Sequence, residues 1–156
     1  MQDFLNTRAH PDKGPDLLGN GQQARAWAAT ATRNWSVLRG AQYPTLTLTD
    51  DDAARLRDLR DVLDATLTGG PTEPSRYILG TADLALGFAG ETSWMPSGRG
   101  WRWLRSAIIG EVVLRHETGT WRRMKQCRNP VCRATFYDST WNNRGVCHQH
   151  STTSDP

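Results

Sequence analysis

The chain contains no run approaching the roughly 20 consecutive apolar residues that a membrane-spanning helix requires, so no spanning segment is expected. Met1 to Thr7 has neither a basic start nor a long apolar stretch, and no secretory signal is read there. Cysteine is scarce, with three residues in 156. An odd count without an export signal argues against a disulfide framework, so the thiols are expected to be reduced and the protein cytoplasmic. Apolar residues are also few, at 37%, and fourteen Gly and eight Pro predict a loop-rich protein. Seven Trp compensate in part, because each can bury a large area. There is no glycine-rich phosphate loop, no His-Glu-x-x-His and no nucleophile elbow. Cys147 and His148 are sequence neighbours, which rarely have the mutual geometry of nucleophile and base. No enzyme is expected.

What the chain does have is concentrated at one end. Cys127 and Cys132 are followed by Cys147, His148 and His150, so every cysteine and half of the four histidines fall within 24 residues. Zinc takes four sulfur or nitrogen ligands in a tetrahedron, and structural sites are built from ligand pairs at short separations. Cys127-x4-Cys132 is such a pair, with Asn129 and Pro130 in a turn that lets backbone N–H groups face the sulfurs. Cys147 with His150 makes the second pair, and His148 is the alternative ligand. One structural zinc ion per chain is expected. Between the pairs the apolar residues are only Phe136, Tyr137, Trp141 and Val146, too few to fold on burial alone, so the metal is expected to supply much of the segment's folding free energy.

The net charge of +3 is unevenly spread. Residues 99–150 hold ten Lys or Arg against three acids, a net of +7, whereas residues 1–98 hold nine against twelve, a net of −3. A basic third beside a slightly acidic body suits a polyanion partner, and nucleic acid is the expected one. Arg122, Arg123, Lys125, Arg128, Arg133 and Arg144 are placed for phosphate contacts, which give affinity without sequence choice. Asn142, Asn143 and Arg144 have the hydrogen-bonding groups that read adenine and guanine edges. Packing around the metal is the simpler use of Tyr137 and Trp141. A protein partner or a second copy of the chain is the alternative to DNA.

The periodicity predicts a mainly helical α+β fold. A helix over 22–34, capped by Asn20, places Ala24, Trp27, Ala28 and Ala31 on one side. A second runs over 51–67 from a cap at Asp50, with Leu56, Leu59, Leu63 and Leu67 as its apolar stripe. Arg55, Arg57, Asp58, Arg60, Asp61 and Asp64 are assigned to its wet face. Gly69-Gly70-Pro71 stops it. Tyr77–Leu79 and Leu84–Phe88 read as a short β-hairpin, and residues 90–100 as a linker. A third helix is expected over 101–117, ended by Gly119. Residues 3–18 read as loop, and Trp94, Trp101 and Trp103 as core or the wall of a small-molecule pocket. The expected division is a body over 1–118, a finger over 119–150 and a disordered tail over 151–156.

The segment from Trp121 through Lys125, Cys127, Cys132, Phe136, Tyr137 and Asp138 to Asn143 resembles the start of a CGNR-type zinc finger. Upstream, Asp3-Phe4-Leu5-Asn6-Thr7, Asp16-Leu17-Leu18, Trp27 and the stretch 56–60 are similar to its companion, the ABATE domain of bacterial stress-induced transcription regulators. The two resemblances cover nearly the whole chain. They imply DNA binding through the finger, transcription regulation, and a body that senses a ligand or partner. The closing signature is degenerate or truncated. Cys147 stands at the family's Trp position, His148 at its third-ligand position, and Thr153-Ser154-Asp155 where Cys-Gly-Asn-Arg would begin. The usual basic extension is missing too, which weakens the expected DNA contact.

Overall fold

A computed structural model describes residues 1–40, 42–69, 82–86, 92–140 and 145–151. The elements are α1 (Gln2–Leu5), α2 (Gly21–Arg39), α3 (Asp50–Thr68), β1 (Ala82–Leu86), β2 (Thr92–Pro96), α4 (Trp101–Glu117), a 3₁₀ turn (Thr120–Arg123), β3 (Met124–Gln126), β4 (Thr135–Tyr137) and α5 (His148–Ser151). The fold is α+β and mainly helical. No described helix is long and apolar enough to cross a membrane.

Local chemistry accounts for the helix ends. Asn20 accepts the Gln23 N–H at 2.9 Å, and Gly40 closes α2 in the left-handed region at φ 61°. α2 runs past the expected 34 to Arg39. α3 starts from Thr49, not Asp50: the Thr49 hydroxyl accepts the Asp52 N–H, and the Asp52 carboxylate accepts the Thr49 N–H, a reciprocal capping box. Asp50 is displaced from that role because its carboxylate accepts the Gly21 N–H at 2.7 Å, tying the start of α3 to the start of α2. α4 has the expected limits.

The three long helices bury one apolar face each into a common core. α2 contributes the small residues Ala24, Ala28 and Thr32, α3 contributes Ala53, Leu56, Leu59 and Leu63, and α4 contributes Trp103, Leu104, Ala107 and Ile108. Residues 3–18 are less loop-like than expected. Phe4, Leu5 and Leu18 are buried in the same core, and Phe4 packs on Trp27 with ring centroids 5.5 Å apart.

Two charged residues of α3 are buried rather than facing water. Arg60 is 3% exposed and Asp64 is 5% exposed. Arg60 forms a two-pronged ion pair with Asp16, Nη1 and Nη2 each donating at 2.9 Å, and Nη1 also donates to the Thr7 hydroxyl at 3.0 Å. Asp64 accepts from Arg8 Nη2 at 3.1 Å and from Gln126 Nε2 at 2.9 Å. Burial is tolerable because each charge meets an opposite one with good geometry.

The hairpin differs from the expected one. Residues 77–79 lie outside the described residues, and the antiparallel partner of β1 is β2, inside the stretch taken for a linker. The β2 strand also makes a long-range contact with α4. The Trp94 indole lies so close to α4 that a Cβ at Gly110 would sit 2.3 Å from its ring. Glycine in a helix interior costs about 1 kcal/mol relative to alanine, and here it makes room for an indole. Gly110→Ala should therefore destabilise the protein by about 1–3 kcal/mol through overpacking, despite the better helix former. Thermal unfolding checks the loss, and a changed tryptophan near-ultraviolet spectrum checks that Trp94 has moved.

Candidate metal centre

The 3₁₀ turn and β3 carry the chain from α4 to the first cysteine. Trp121 is buried and stacks on His116, with centroids 5.0 Å apart, which gives that histidine a packing role. Met124 and Trp121 belong to the main core, so the hairpin of β3 and β4 is rooted in the body. Its register pairs Met124 with Tyr137 and Gln126 with Thr135.

Cys127 follows the end of β3, and its N–H donates to the Ala134 carbonyl at 2.8 Å, closing the loop between the strands. Within that loop the Asn129 side chain accepts the Val131 N–H at 3.0 Å, and its carbonyl accepts the N–H groups of Cys132 (3.1 Å) and Arg133 (3.0 Å). Asparagine at this place fixes the turn by bonding its own backbone two residues on. Arg133 reverses the chain at φ 46°, the one non-glycine residue at positive φ among those described. The third cysteine returns beside the loop, with the Arg128 N–H donating to the Gly145 carbonyl at 2.8 Å.

These connections bring Cys127, Cys132 and Cys147 together. All three are buried, and their sulfurs lie within 4.8 Å of one another, with Cys132 Sγ and Cys147 Sγ 3.7 Å apart. Tetrahedral zinc with Zn–S bonds of about 2.3 Å places sulfurs about 3.8 Å apart along each edge. The donor set fits that ion, whereas a disulfide needs about 2.05 Å. The described cysteines are free thiols. A metal ion can be held here, and zinc is a plausible one.

The sulfurs are not equivalent. Burial pushes the Cys127 thiol up, but N–H groups of Cys147 and Asn129, with the two other cysteines, leave it below its ordinary value. Burial, with the other two cysteines, pushes the Cys132 thiol up to about 11 against the opposing Ala134 N–H. Gathering thiolates in a small apolar shell (Ala134, Phe136 and Val146 pack around them) is costly without a cation, so metal entry must release protons.

The remaining predicted residues do not join the thiol cluster where they are described. His148 opens α5 and is exposed, and the closely spaced group among the described residues comprises the three thiols alone. The His150 side chain and residues 141–144, with Asn142, Asn143 and Arg144, lie outside the described part. Lys125, Arg128 and Arg133 line one surface groove beside Cys127 and the last turn of α3. Arg122 is exposed on the 3₁₀ turn. Arg123 is half-buried: its Nε donates to the Asp138 carbonyl at 2.8 Å and its guanidinium lies over Tyr137 at 4.6 Å. Asp138 is buried and accepts the Thr140 N–H and hydroxyl at 3.1 and 2.8 Å.

The residues that hold this module to the body went unread in the sequence. Asn6, just after α1, donates to the Thr135 carbonyl at 2.8 Å and accepts the Thr135 N–H at 2.7 Å. Gln126 reaches Asp64 on α3. Thr135 is 2% exposed, so losing Asn6 leaves its backbone groups without water as a substitute. Asn6→Ala is expected to cost about 2–3 kcal/mol, with Asn6→Asp, which keeps only the acceptor, in between. Chemical denaturation of the two variants checks the order.

No family model matches the chain, and no curated protein is similar enough to count as a relative.

Proposed function

We propose that the C-terminal segment is a zinc-stapled module that binds nucleic acid, and that the chain is a DNA-binding transcription regulator whose body answers a ligand or partner. The observation that carries the metal half is the buried group of three thiols, spaced as the sulfurs of a zinc tetrahedron are. A histidine completes the set in this reading: His150, paired with Cys147 across two residues, or His148. The nucleic-acid half rests on the charge of residues 99–150, on the groove that gathers Lys125, Arg128 and Arg133, and on the resemblance of residues 121–143 to CGNR-type fingers. The zinc orders the backbone and the cations make the contact. No catalytic step is assigned, and the cytoplasm is the compartment proposed.

Metal analysis of purified tag-free protein should return about one zinc per chain, with His148→Ala and His150→Ala deciding which histidine is used. Phosphate contacts by Arg122, Lys125, Arg128 and Arg133 predict that the logarithm of affinity for random duplex DNA falls with the logarithm of salt with a slope of about −3 to −4. A zinc-loaded protein with no affinity for DNA, or with an affinity indifferent to salt, sinks the nucleic-acid half. The segment would then stand as a zinc-stapled protein-interaction module.

A further inference from the structure

We infer that the helical body holds a binding site for a small aromatic carboxylate, in a cavity of about 240 Å³ between α1, α2 and α4. The walls are ring faces and short aliphatic groups: Phe4, Trp27, Trp35 and Trp103, with Ala107 and Ile108. Trp35 is held rigidly, edge-on to Trp103 at 5.4 Å and to Trp94 at 6.2 Å. Flat aromatic walls of this kind select a ring, and the volume lies at the small end for ligand sites, which suits one or two fused rings and excludes nucleotides and peptides.

The polar groups select the charge. Two of the residues that line this cavity, Trp35 and Arg115, carry donors, Nε1 and Nε, that are buried without an acceptor. A buried indole N–H ordinarily finds a partner, and an unmade hydrogen bond of a charged group is costly. Arg115 forms no ion pair among the described residues. The buried Met1 ammonium at the same cavity is a second positive charge beside Arg115. Glu111 is taken by Arg39, whose Nε donates at 3.1 Å, and Asp3 is exposed on α1. Both orphaned groups are donors, so the missing partner is an acceptor, and the guanidinium makes an anionic one the best fit. A carboxylate on a ring combines two acceptor oxygens with an apolar face, the two properties these residues call for. The site is independent of the metal centre and of any nucleic acid, so its success or failure leaves the proposed function of the C-terminal segment untouched.

The test uses the full chain with benzoate, its neutral isostere benzamide and the cation benzylamine, followed by titration calorimetry and tryptophan fluorescence. Benzoate is expected to bind about tenfold or more tightly than benzamide, a difference of about 1.4 kcal/mol, and benzylamine less well than either. Arg115→Gln should bring benzoate to the level of benzamide while leaving benzamide unchanged. Ala31→Trp, which fills the cavity from α2, should abolish both, with far-ultraviolet circular dichroism showing that each variant is folded. Equal affinity for benzoate and benzamide, an unaltered benzoate affinity in folded Arg115→Gln, or no binding of benzoate at millimolar concentration overturns the inference.

Discussion

With the thiol cluster holding zinc as proposed, a strong chelator, or replacing Cys132 by Ser, should disorder the tip of the C-terminal module and leave the helical body folded. Apparent metal-binding energies in isolated zinc fingers are about 10–16 kcal/mol, far above any other single effect expected in this chain. The tip has little else. Among the described residues, the apolar side chains packed around the three sulfurs are Ala134, Phe136 and Val146. The base of the hairpin is different, because Trp121 and Met124 belong to the main core and Asn6 and Asp64 hold Thr135 and Gln126. Hydrogen exchange should therefore show lost protection at the Cys127, Cys132 and Arg133 amides, with α2, α3 and α4 unchanged. If the amides around the cysteines stay equally protected without metal, the zinc account of this segment is wrong.

Breaking the Arg60–Asp16 pair is the second large effect. Removing one partner of a buried pair costs about 3–5 kcal/mol, because the other is left as an uncompensated charge. The two deletions should not be equal. The side chain of Arg60 is 4% exposed and that of Asp16 is 24% exposed, so water can rescue a stranded carboxylate better than a stranded guanidinium. Asp16→Ala belongs at the upper end of the range, and Arg60→Met, which keeps apolar bulk, at the lower end. Urea unfolding of both variants and of the double variant checks this, the double costing less than the sum.

Acid should act on the same pair. Burial raises the Asp16 carboxyl, but hydrogen bonds from Arg60 and the Leu18 N–H, with the charges of Arg60 and Arg57, hold it below its ordinary value. A carboxylate whose folded value is depressed contributes stability that is fully present above its unfolded value, about 3.9, and is lost as pH falls through the lower folded value. The Asp16 contribution should be constant from neutrality to about pH 5 and fade below about pH 4. In Asp16→Asn that component of the acid loss should be gone.

How far the sequence could be read follows from how local each cause is. The cap at Asn20 rests on its side chain and the stop at Gly69 on its left-handed backbone, both within a turn of the helix end, and these were legible, as were the limits of α4. So was the convergence of Cys127, Cys132 and Cys147, since short spacing and an Asn-Pro turn leave the loop few other shapes. The pairing of β1 with β2 was not, and neither was the approach of Trp94 to Gly110 on another element. The burial of Arg60 had a visible signal that was overruled by residue type. It stands four residues after Leu56 and three before Leu63, on the apolar stripe itself. Its partner Asp16 is 44 residues away, and nothing in the local pattern names it.

Asn6 has one more effect. A two-stranded sheet ends in open rims whose backbone groups invite strands from other molecules. At Thr135 that invitation is already answered, since a single side-chain amide occupies both the donor and the acceptor a visiting strand would use. On β3 the Gln126 side chain, not its backbone, reaches Asp64 of α3. A second copy of the chain that approached the β4 rim would have to displace Asn6 before its backbone could pair at Thr135.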